Sequence, residues 1–345
     1  MTKPVHIFVF AFTLLAYLSV YVSPAIFWPA GFLSLAIPVL LIINLLLFIL
    51  YAMRKHRLAI FPLLALAFGY QHVAASVAFN APVSTTTDSS FSVLNYNVRV
   101  FNIYAHLRST APDELSMVDW LAQEDADVKC LQEFYNDSSS STFSTTQLLL
   151  KQGEYQSFVR PTLVNRSGAE FGLAIFSRFP MVQQGEVTTE EDSLQYAIFA
   201  DLQTPSGVVR VYNVHLRSMS IDENALSDQG KYPSIARKLK NGFTIRAYQV
   251  NELLAHIEKS PHPVVVSGDL NDIPYSYSYF LLRKRLANAF EKAGRGFGFS
   301  YNGKLFFLRI DNQFFSDTLC ARRFITYQDI GFSDHYPIKA VYSFR

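Results

Sequence analysis

From Met1 to Asn80 the sequence contains no Asp and no Glu, and its only Lys and Arg residues are Lys3, Arg54, Lys55 and Arg57. A helix on the surface of a water-soluble domain needs a charged face. No charged side chain occurs between Pro4 and Met53 or between Leu58 and Thr87, which excludes such helices there. Cysteine is scarce as well. Two Cys in 345 residues exclude a disulfide-stapled scaffold and a four-Cys zinc site. Neither Cys130 nor Cys320 has a His-and-acid pattern beside it, so no thiol nucleophile is indicated; a disulfide between them is open in an oxidising compartment, but two buried thiols are expected. Fifteen glycines exclude a collagenous chain, and a hydrophobic content of 50% excludes a disordered one.

The apolar stretches match membrane spans. A span needs about 20 mostly apolar residues to cross about 30 Å of hydrocarbon. Residues 5–22, 31–53 and 58–79 meet that length, the last with polar flaws at Gln71 and His72. A signal peptide would account for the first of them but not for the other two. The basic loop Arg54–Arg57 and the uncharged loop Pro24–Pro29 orient the set: by the positive-inside rule the basic loop and the N-terminus lie in the cytoplasm. The expectation is therefore a multi-pass anchor of the inner cell membrane, residues 1–80. A Ser/Thr/Pro-rich linker follows at 81–90, and residues 91–345 form an extracytoplasmic domain.

Removing the anchor changes the charge balance: the remaining 265 residues hold 26 basic and 28 acidic side chains, a net −2. A large nucleic-acid footprint needs a basic stripe to displace counterions, and this balance argues mildly against one. Short β-type runs recur at Ser92–Val98, Val128–Leu131, Gly172–Phe176, Val208–Val214, Val264–Ser267, Ile310–Phe315 and Ile338–Tyr342. Helical periodicity falls at Pro112–Gln123, with Thr110 as its cap, and at Ile245–Glu258. Ser138–Thr146 reads as a surface loop. The pattern is mixed α/β without internal repeats.

Polar residues gather at strand ends. Val264–Val266 runs into Ser267-Gly268-Asp269-Leu270-Asn271-Asp272. In extended backbone, residues i and i+2 share a side, so Asp269 and Asn271 would face one cavity. The carboxylate can take a proton from water, and the amide can donate to a phosphate oxygen. An Asx turn closing a strand would satisfy the same residues. Ser333-Asp334-His335-Tyr336-Pro337 offers a metal ligand beside an imidazole that can carry a proton near neutrality. Asn97, Glu133 and His215 end three further strands. Each has a plain reading as a solvated strand end, but five such ends in one chain are hard to obtain that way.

In this order the motifs Leu94-Asn95-Tyr96-Asn97, Leu131-Gln132-Glu133, Gly172–Ser177, Asn213-Val214-His215-Leu216, Ser267–Asp272 and Ser333–Pro337 resemble the endonuclease/exonuclease/phosphatase superfamily. It includes deoxyribonuclease-like nucleases, abasic-site endonucleases, sphingomyelinases and inositol-phosphate phosphatases. The resemblance covers about Phe91 to Arg345 and implies a four-layer α/β/β/α sandwich with its site at one edge.

The resemblance also implies roles. Glu133 would be the principal ligand of a divalent metal, with Asn97 and Asp334 beside it. Mg²⁺ suits such a site because it keeps waters for the substrate, and Mn²⁺ is the alternative ion. Asp269 would orient or deprotonate the attacking water, and Asn271 would hold a phosphate oxygen. His335 would stabilise the phosphoryl charge, with Asp311 fixing its tautomer, and His215 would act as an acid or phosphate clamp. One position departs from the pattern. Many nucleases of this superfamily have an Asp two residues after the strand-one Asn, where this chain has Arg99. Arg99 could bind substrate phosphate instead, or mark weaker metal binding.

The expected activity is metal-dependent hydrolysis of a phosphodiester or phosphomonoester by in-line attack of water. Lipid head groups, nucleotides, nucleic acid and sugar phosphates remain open as substrates, and the lipid bilayer is the implied partner. No protein partner is indicated. The competing class is a membrane-tethered scaffold whose enzyme domain has lost activity.

Overall fold

The computed structural model describes residues 3–81, 90–103, 114–140, 143–189, 192–219, 221, 224 and 227–345. The chain begins with five helices: α1 (Lys3–Ser19), α2 (Pro29–Ser34), α3 (Ile37–Met53), α4 (Ile60–Phe68) and α5 (Tyr70–Ser76). There follow β1 (Ala78–Phe79), β2 (Ser90–Asn97), α6 (Glu114–Gln123), β3 (Val128–Asn136), α7 (Thr145–Gly153), β4 (Gln156–Val164) and β5 (Glu170–Ser177). Next come β6 (Met181–Thr189), β7 (Asp192–Thr204), β8 (Gly207–His215), α8 (Tyr232–Glu258) and β9 (Val264–Asp269). The remainder is α9 (Tyr277–Arg283), β10 (Ala287–Asn288), α10 (Ala289–Ala293), β11 (Arg295–Gly296), β12 (Asp311–Phe315), β13 (Leu319–Thr326) and β14 (Ile338–Phe344).

Two six-stranded sheets form the body, ordered β13-β14-β2-β3-β5-β4 and β10-β12-β9-β8-β7-β6. Each contains one parallel pair, β2/β3 in the first and β8/β9 in the second, and every other pairing is antiparallel. Parallel neighbours require a crossover, and α6 and α8 lie in those two connections. The inner faces meet in one apolar cluster that includes Val93, Cys130 and Ile175 from one sheet and Val211, Val265 and Phe315 from the other. The outer face of the first sheet, Leu94 and Leu131 among it, packs with Met117 and Leu121 of α6 and Leu149 of α7. The outer face of the second, Tyr212, Val214 and Val266, packs with Val250 and Leu253 of α8. The result is a two-sheet α/β sandwich covered by helices.

Sequence periodicity located the start of α8 at Ile245. The helix begins instead at Tyr232, with Pro233 in its first turn, where a proline costs nothing because the N–H is unpaired there. Thr110 and the linker at 82–89 lie outside the described residues. Cys130 and Cys320 are both free thiols, but only Cys130 is buried, which pushes its thiol up to about 12, while Cys320 is half-buried rather than buried as expected.

The N-terminal helices depart from the three expected spans. Among the described residues one helical stretch, Pro29–Met53, in which α2 runs on into α3, is long and apolar enough to cross a membrane, with 25 residues and a mean hydropathy of 2.8. The stretch predicted as the third span is bent by 60° between Phe68 and Tyr70, so it supplies at most a broken second crossing. Gly69 lies at that break, and its own backbone ends one helix and starts the next. The first stretch ends at Ser19 after 17 residues. At 1.5 Å per residue that is about 26 Å, short of a bilayer core. The multi-pass, extracytoplasmic arrangement rested on three crossings and is not supported; an N-terminal apolar helix of this kind also occurs in signal sequences.

The N-terminal helices pack on the second sheet's side of the sandwich. Phe32 meets Phe243 of α8 edge-on at 5.4 Å, and Tyr21 and His72 meet Phe280 of α9 at 5.7 and 4.8 Å. Ala16, Tyr17, Val20, Ile37 and Leu40 share a core with residues of β8 and β9.

Candidate active site

The inner faces change character along each strand. Phe91 and Val93 of β2 give way to Asn95 and Asn97, and Val128 and Cys130 of β3 to Gln132. Val209 and Val211 of β8 give way to Asn213 and His215, and Val265 of β9 to Ser267 and Asp269. Side chains alternate with period two, so each series shares one face. The parallel registers Asn97↔Gln132 and His215↔Asp269 bring the polar ends level. β12, running antiparallel to β9, reads in reverse, and its Asp311 pairs directly with Asp269. One end of the inter-sheet space is therefore dry and the other polar.

Beneath the surface the polar end is cross-linked by amides. Gln132 Nε2 donates to Asn95 Oδ1 at 2.8 Å and to Asn213 Oδ1 at 2.6 Å, and Asn213 Nδ2 donates to the carbonyls of Leu131 and Ala174, both at 2.9 Å. Asn95 Nδ2 donates to Asp311 Oδ1 at 3.2 Å. These bonds tie the two sheets together and satisfy groups that would be costly to bury unpaired.

Glu133 reaches this side through a break in the alternation. Leu131 and Phe134 both face the helix layer, so a regular strand would point Glu133 there too. The β3/β5 register shifts between Leu131 and Phe134, and Glu133 takes φ +49°. Such a bulge re-aims a side chain. The Glu133 carboxylate accepts from Asn97 Nδ2 at 3.4 Å and lies 3.8 Å from His215 Nε2. Positive φ recurs at Asn271 (+48°) and through Arg99–Asn102 (+46° to +52°). For non-glycine residues this left-handed backbone costs about 1–2 kcal/mol each, and it collects around the site.

Asp269 is almost fully buried and fixed by three donors: Asn97 Nδ2 at 3.1 Å, the Asn271 backbone N–H at 2.7 Å and Asn271 Nδ2 at 3.2 Å. Asn271 Nδ2 also donates to the Leu216 carbonyl at 3.0 Å, so the amide braces Asp269 and β8 together. The preceding Gly268 is required by backbone crowding, because a Cβ there would stand 2.0 Å from the Val214 carbonyl oxygen.

His335 Nδ1 lies 2.8 Å from Asp311 Oδ2, which turns its Nε2 toward Asp269 Oδ2 at 3.7 Å. Burial opposes a charge on this ring, but Asp311 and Asp269 beside it outweigh burial and push His335 up to about 10. Ser333 Oγ donates to the Asn97 carbonyl at 2.8 Å and seats the Ser333–His335 segment beside the end of β2. Asp334 Oδ2 lies 3.4 Å from Arg99 Nε, with both side chains open to solvent. His215 Nε2 lies between Glu133 and Asp269, 3.8 and 3.7 Å away, and this buried atom has no hydrogen-bond partner among the described residues.

The donor set suits a hard divalent cation. Glu133, with 38% of its side chain exposed, is faced by a neutral amide and by the orphaned His215 nitrogen. Ligand atoms of Asp269, Asp311 and His335 lie within 4.8 Å of one another, but His335 Nδ1 is engaged by Asp311. These carboxylates, with no thiol among them, suit a hard divalent metal better than a soft one.

Residues 94–335 match the model of the Endonuclease/Exonuclease/phosphatase family, and the chain belongs to that family. Residues 3–76 match a separate domain of unknown function. Among solved structures, the chain is similar to an endonuclease/exonuclease/phosphatase from Beutenbergia cavernae, at TM-score 0.54 and 18% identity over 74% of this chain and 72% of that one. The human Nocturnin catalytic domain with bound sulfate anion gives TM-score 0.52 and 20% identity over 76% and 96%. A mannosyl-6-phosphatase from Bacteroides thetaiotaomicron gives 0.51 and 17% over 74% and 100%. No curated protein sequence matches significantly. At these identities the likeness is one of fold.

The sequence reading named every charged group of the cluster but missed its supports. Asn95, Gln132 and Asn213 stood inside quoted motifs without a role; polar residues at alternate positions of otherwise apolar strands were the available signal. Arg246 was missed too. It is fully buried on the apolar stripe of α8, ion-paired to Asp272 at 3.1 Å and donating to the Arg217 carbonyl at 3.0 Å, and so supports the loop after Asp269. An Arg on an apolar helix face signals such a partner.

Proposed function

We propose that the protein is a membrane-attached, divalent-metal-dependent phosphoesterase that hydrolyses its substrate by in-line attack of water. The observation that carries this reading is the meeting of Asp269, His335–Asp311, His215, Glu133 and Asn97 where both parallel strand pairs end. Glu133, Asn97 and Asp334 would hold the metal, which when bound supplies positive charge against the phosphoryl oxygens. Asp269, rigidly held, orients the attacking water and takes its proton as the new phosphorus–oxygen bond forms. His335, charged through its carboxylate neighbours, offers its Nε2 proton to the phosphoryl oxygens as their charge builds. The ester oxygen leaves with its bonding electrons and is protonated from His215, whose Nε2 is free to face it. Asn271 braces Asp269, and its amide borders the same phosphate position. Arg99 supplies a planar guanidinium at the cleft entrance that can bind substrate phosphate.

Membrane attachment is supported by the exposed apolar side chains of the N-terminal helices, Phe8, Leu18, Leu46, Met53 and Phe68 among them, which water would not tolerate as a contiguous surface. A panel of phosphodiesters and phosphomonoesters, assayed with Mg²⁺, Mn²⁺ and EDTA, tests the proposal. Hydrolysis abolished by EDTA and restored by added metal is expected; inertness toward the whole panel in every metal favours a tethered scaffold.

A further inference from the structure

From Lys292 to Ile310 the chain has no acidic residue, while Lys292, Arg295, Lys304 and Arg309 are basic and Phe297, Phe299, Phe306 and Phe307 are aromatic. Phe306 and Phe307 stand 64% and 51% exposed on a loop that contributes nothing to the core. That loop is closed by backbone bonds from Ser300 and Tyr301 to the Leu308 carbonyl at 3.0 and 3.2 Å. Phe297 is also exposed.

Both stems of this segment are tied to the end of the anchor. Arg295 and Gly296 pair with Phe79 and Ala78 as β11 and β1, and Phe79 is 88% exposed. Arg309 donates to the Ala75 carbonyl in the last turn of α5, from a buried position over the Phe290 ring. The middle of the segment touches the site. Tyr301 bridges His335 through the backbone and sets its ring edge against the imidazole at 5.6 Å, and Ser300 Oγ accepts from the backbone N–H groups of Ile310 and Asp311.

We propose that Arg295–Arg309, with Phe79, is a lipid-facing lip of the catalytic cleft, seated on the bilayer that holds the anchor, and that the substrate is a phosphoester of a phospholipid head group in that bilayer. The inference rests on the phosphoesterase reading for its chemistry and on the anchor for its geometry. The exposed rings of Phe79, Phe297, Phe306 and Phe307 together with exposed Arg295 and Lys304 suit an anionic interface, where rings enter the head-group layer and cations meet phosphate. The patch begins three residues after α5 ends, so it continues the apolar surface of the anchor rather than standing apart from it.

The test uses the full chain reconstituted in vesicles of phosphatidylcholine and phosphatidylglycerol, with and without dibrominated phosphatidylcholine. Phe307→Trp should lose at least half of its added fluorescence to the brominated lipid. Leu163→Trp, on an exposed edge strand of the other sheet, should lose almost none. Phe306→Ser/Phe307→Ser should lower hydrolysis of vesicle phospholipid at least tenfold while soluble bis(p-nitrophenyl) phosphate is hydrolysed within twofold of the parent rate. Equal quenching at both Trp positions, or none at Phe307→Trp, overturns the lip. Shielding of Phe307→Trp that depends on protein concentration and not on bromine assigns the patch to a second copy of the chain and likewise overturns it. Equal loss on both substrates overturns it as well. A parent inert toward both esters, with Phe307→Trp still quenched, overturns the head-group substrate and the phosphoesterase reading while supporting the lipid contact.

Discussion

The two ends of the inter-sheet space are built from the same strands and differ in everything else. At one end Val93, Ile175, Val211 and Phe315 interdigitate as an ordinary dry core. At the other, two or four residues further along the same faces, amides, carboxylates and the His335 imidazole are buried with partners, and His215 Nε2 is buried without one among the described residues. The lesson is that stability and chemistry are separated along the strand axis rather than between domains. The dry end can hold the sheets in register while the polar end carries strained backbone and like charges that no core would accept.

That separation can be broken at either end. The largest effect is expected from Glu133→Gln, which leaves the bulge and removes its charge. Activity at ordinary Mg²⁺ should fall by roughly 10²-fold or more, with recovery, if any, confined to high metal concentration. A Mg²⁺ titration indistinguishable from that of the parent would mean the metal lies elsewhere. At the dry end, Ile175→Ala should cost about 3 kcal/mol of stability, seen as a lowered denaturation midpoint, and leave kcat within about twofold. A large loss of kcat in the still-folded variant would show that the ends are coupled.

Between the extremes stands the amide layer. Gln132→Leu removes the donor shared by Asn95 and Asn213, leaving Asn213 Oδ1 without it and Asn95 Oδ1 with Ser267 Oγ at 3.3 Å, so a loss of about 1–3 kcal/mol is expected, together with a measurable fall in kcat as β2 and β8 lose their cross-tie. Unaltered stability would mean the layer is dispensable. The smallest effect concerns pH. His335 is held up to about 10 against an ordinary value near 6.5, so it binds its proton more tightly folded than unfolded. Its contribution to stability is therefore complete below about 6.5 and fades as pH rises toward 10. His335→Gln should remove that part of the decline; parallel stability curves for parent and variant over pH 6–10 would contradict the assignment.

Much of this was legible in the residues. All seven β-type runs became strands, because apolar runs bounded by polar breaks are a strong local signal. The interior strand β7 and the edge strands β4, β6 and β13 were not found; the edge strands are short of apolar alternation and owe their form to a neighbour. The strand-end residues were legible by type, and the sheet order that gathers them was not, because pairing between β2 and β14 or β9 and β12 is a long-range choice. The Glu133 bulge was invisible: Leu131-Gln132-Glu133-Phe134 carries no Gly or Pro to announce it. The anchor was over-read, because hydropathy counts residues and does not register the bend at Gly69 or the contacts of His72 with Tyr17 and Phe280.

The central claim, that the polar end performs water-driven phosphoester hydrolysis with Asp269 as its base, is met most directly by one comparison. Steady-state kinetics of the full chain and of Asp269→Asn should be measured on whichever ester the panel identifies, with circular dichroism to follow the fold. The expected result is an unchanged spectrum, a KM within a fewfold of the parent and a kcat lower by roughly 10²-fold or more, as for loss of a general base acting in the transition state. A folded Asp269→Asn protein with near-parental kcat would contradict it.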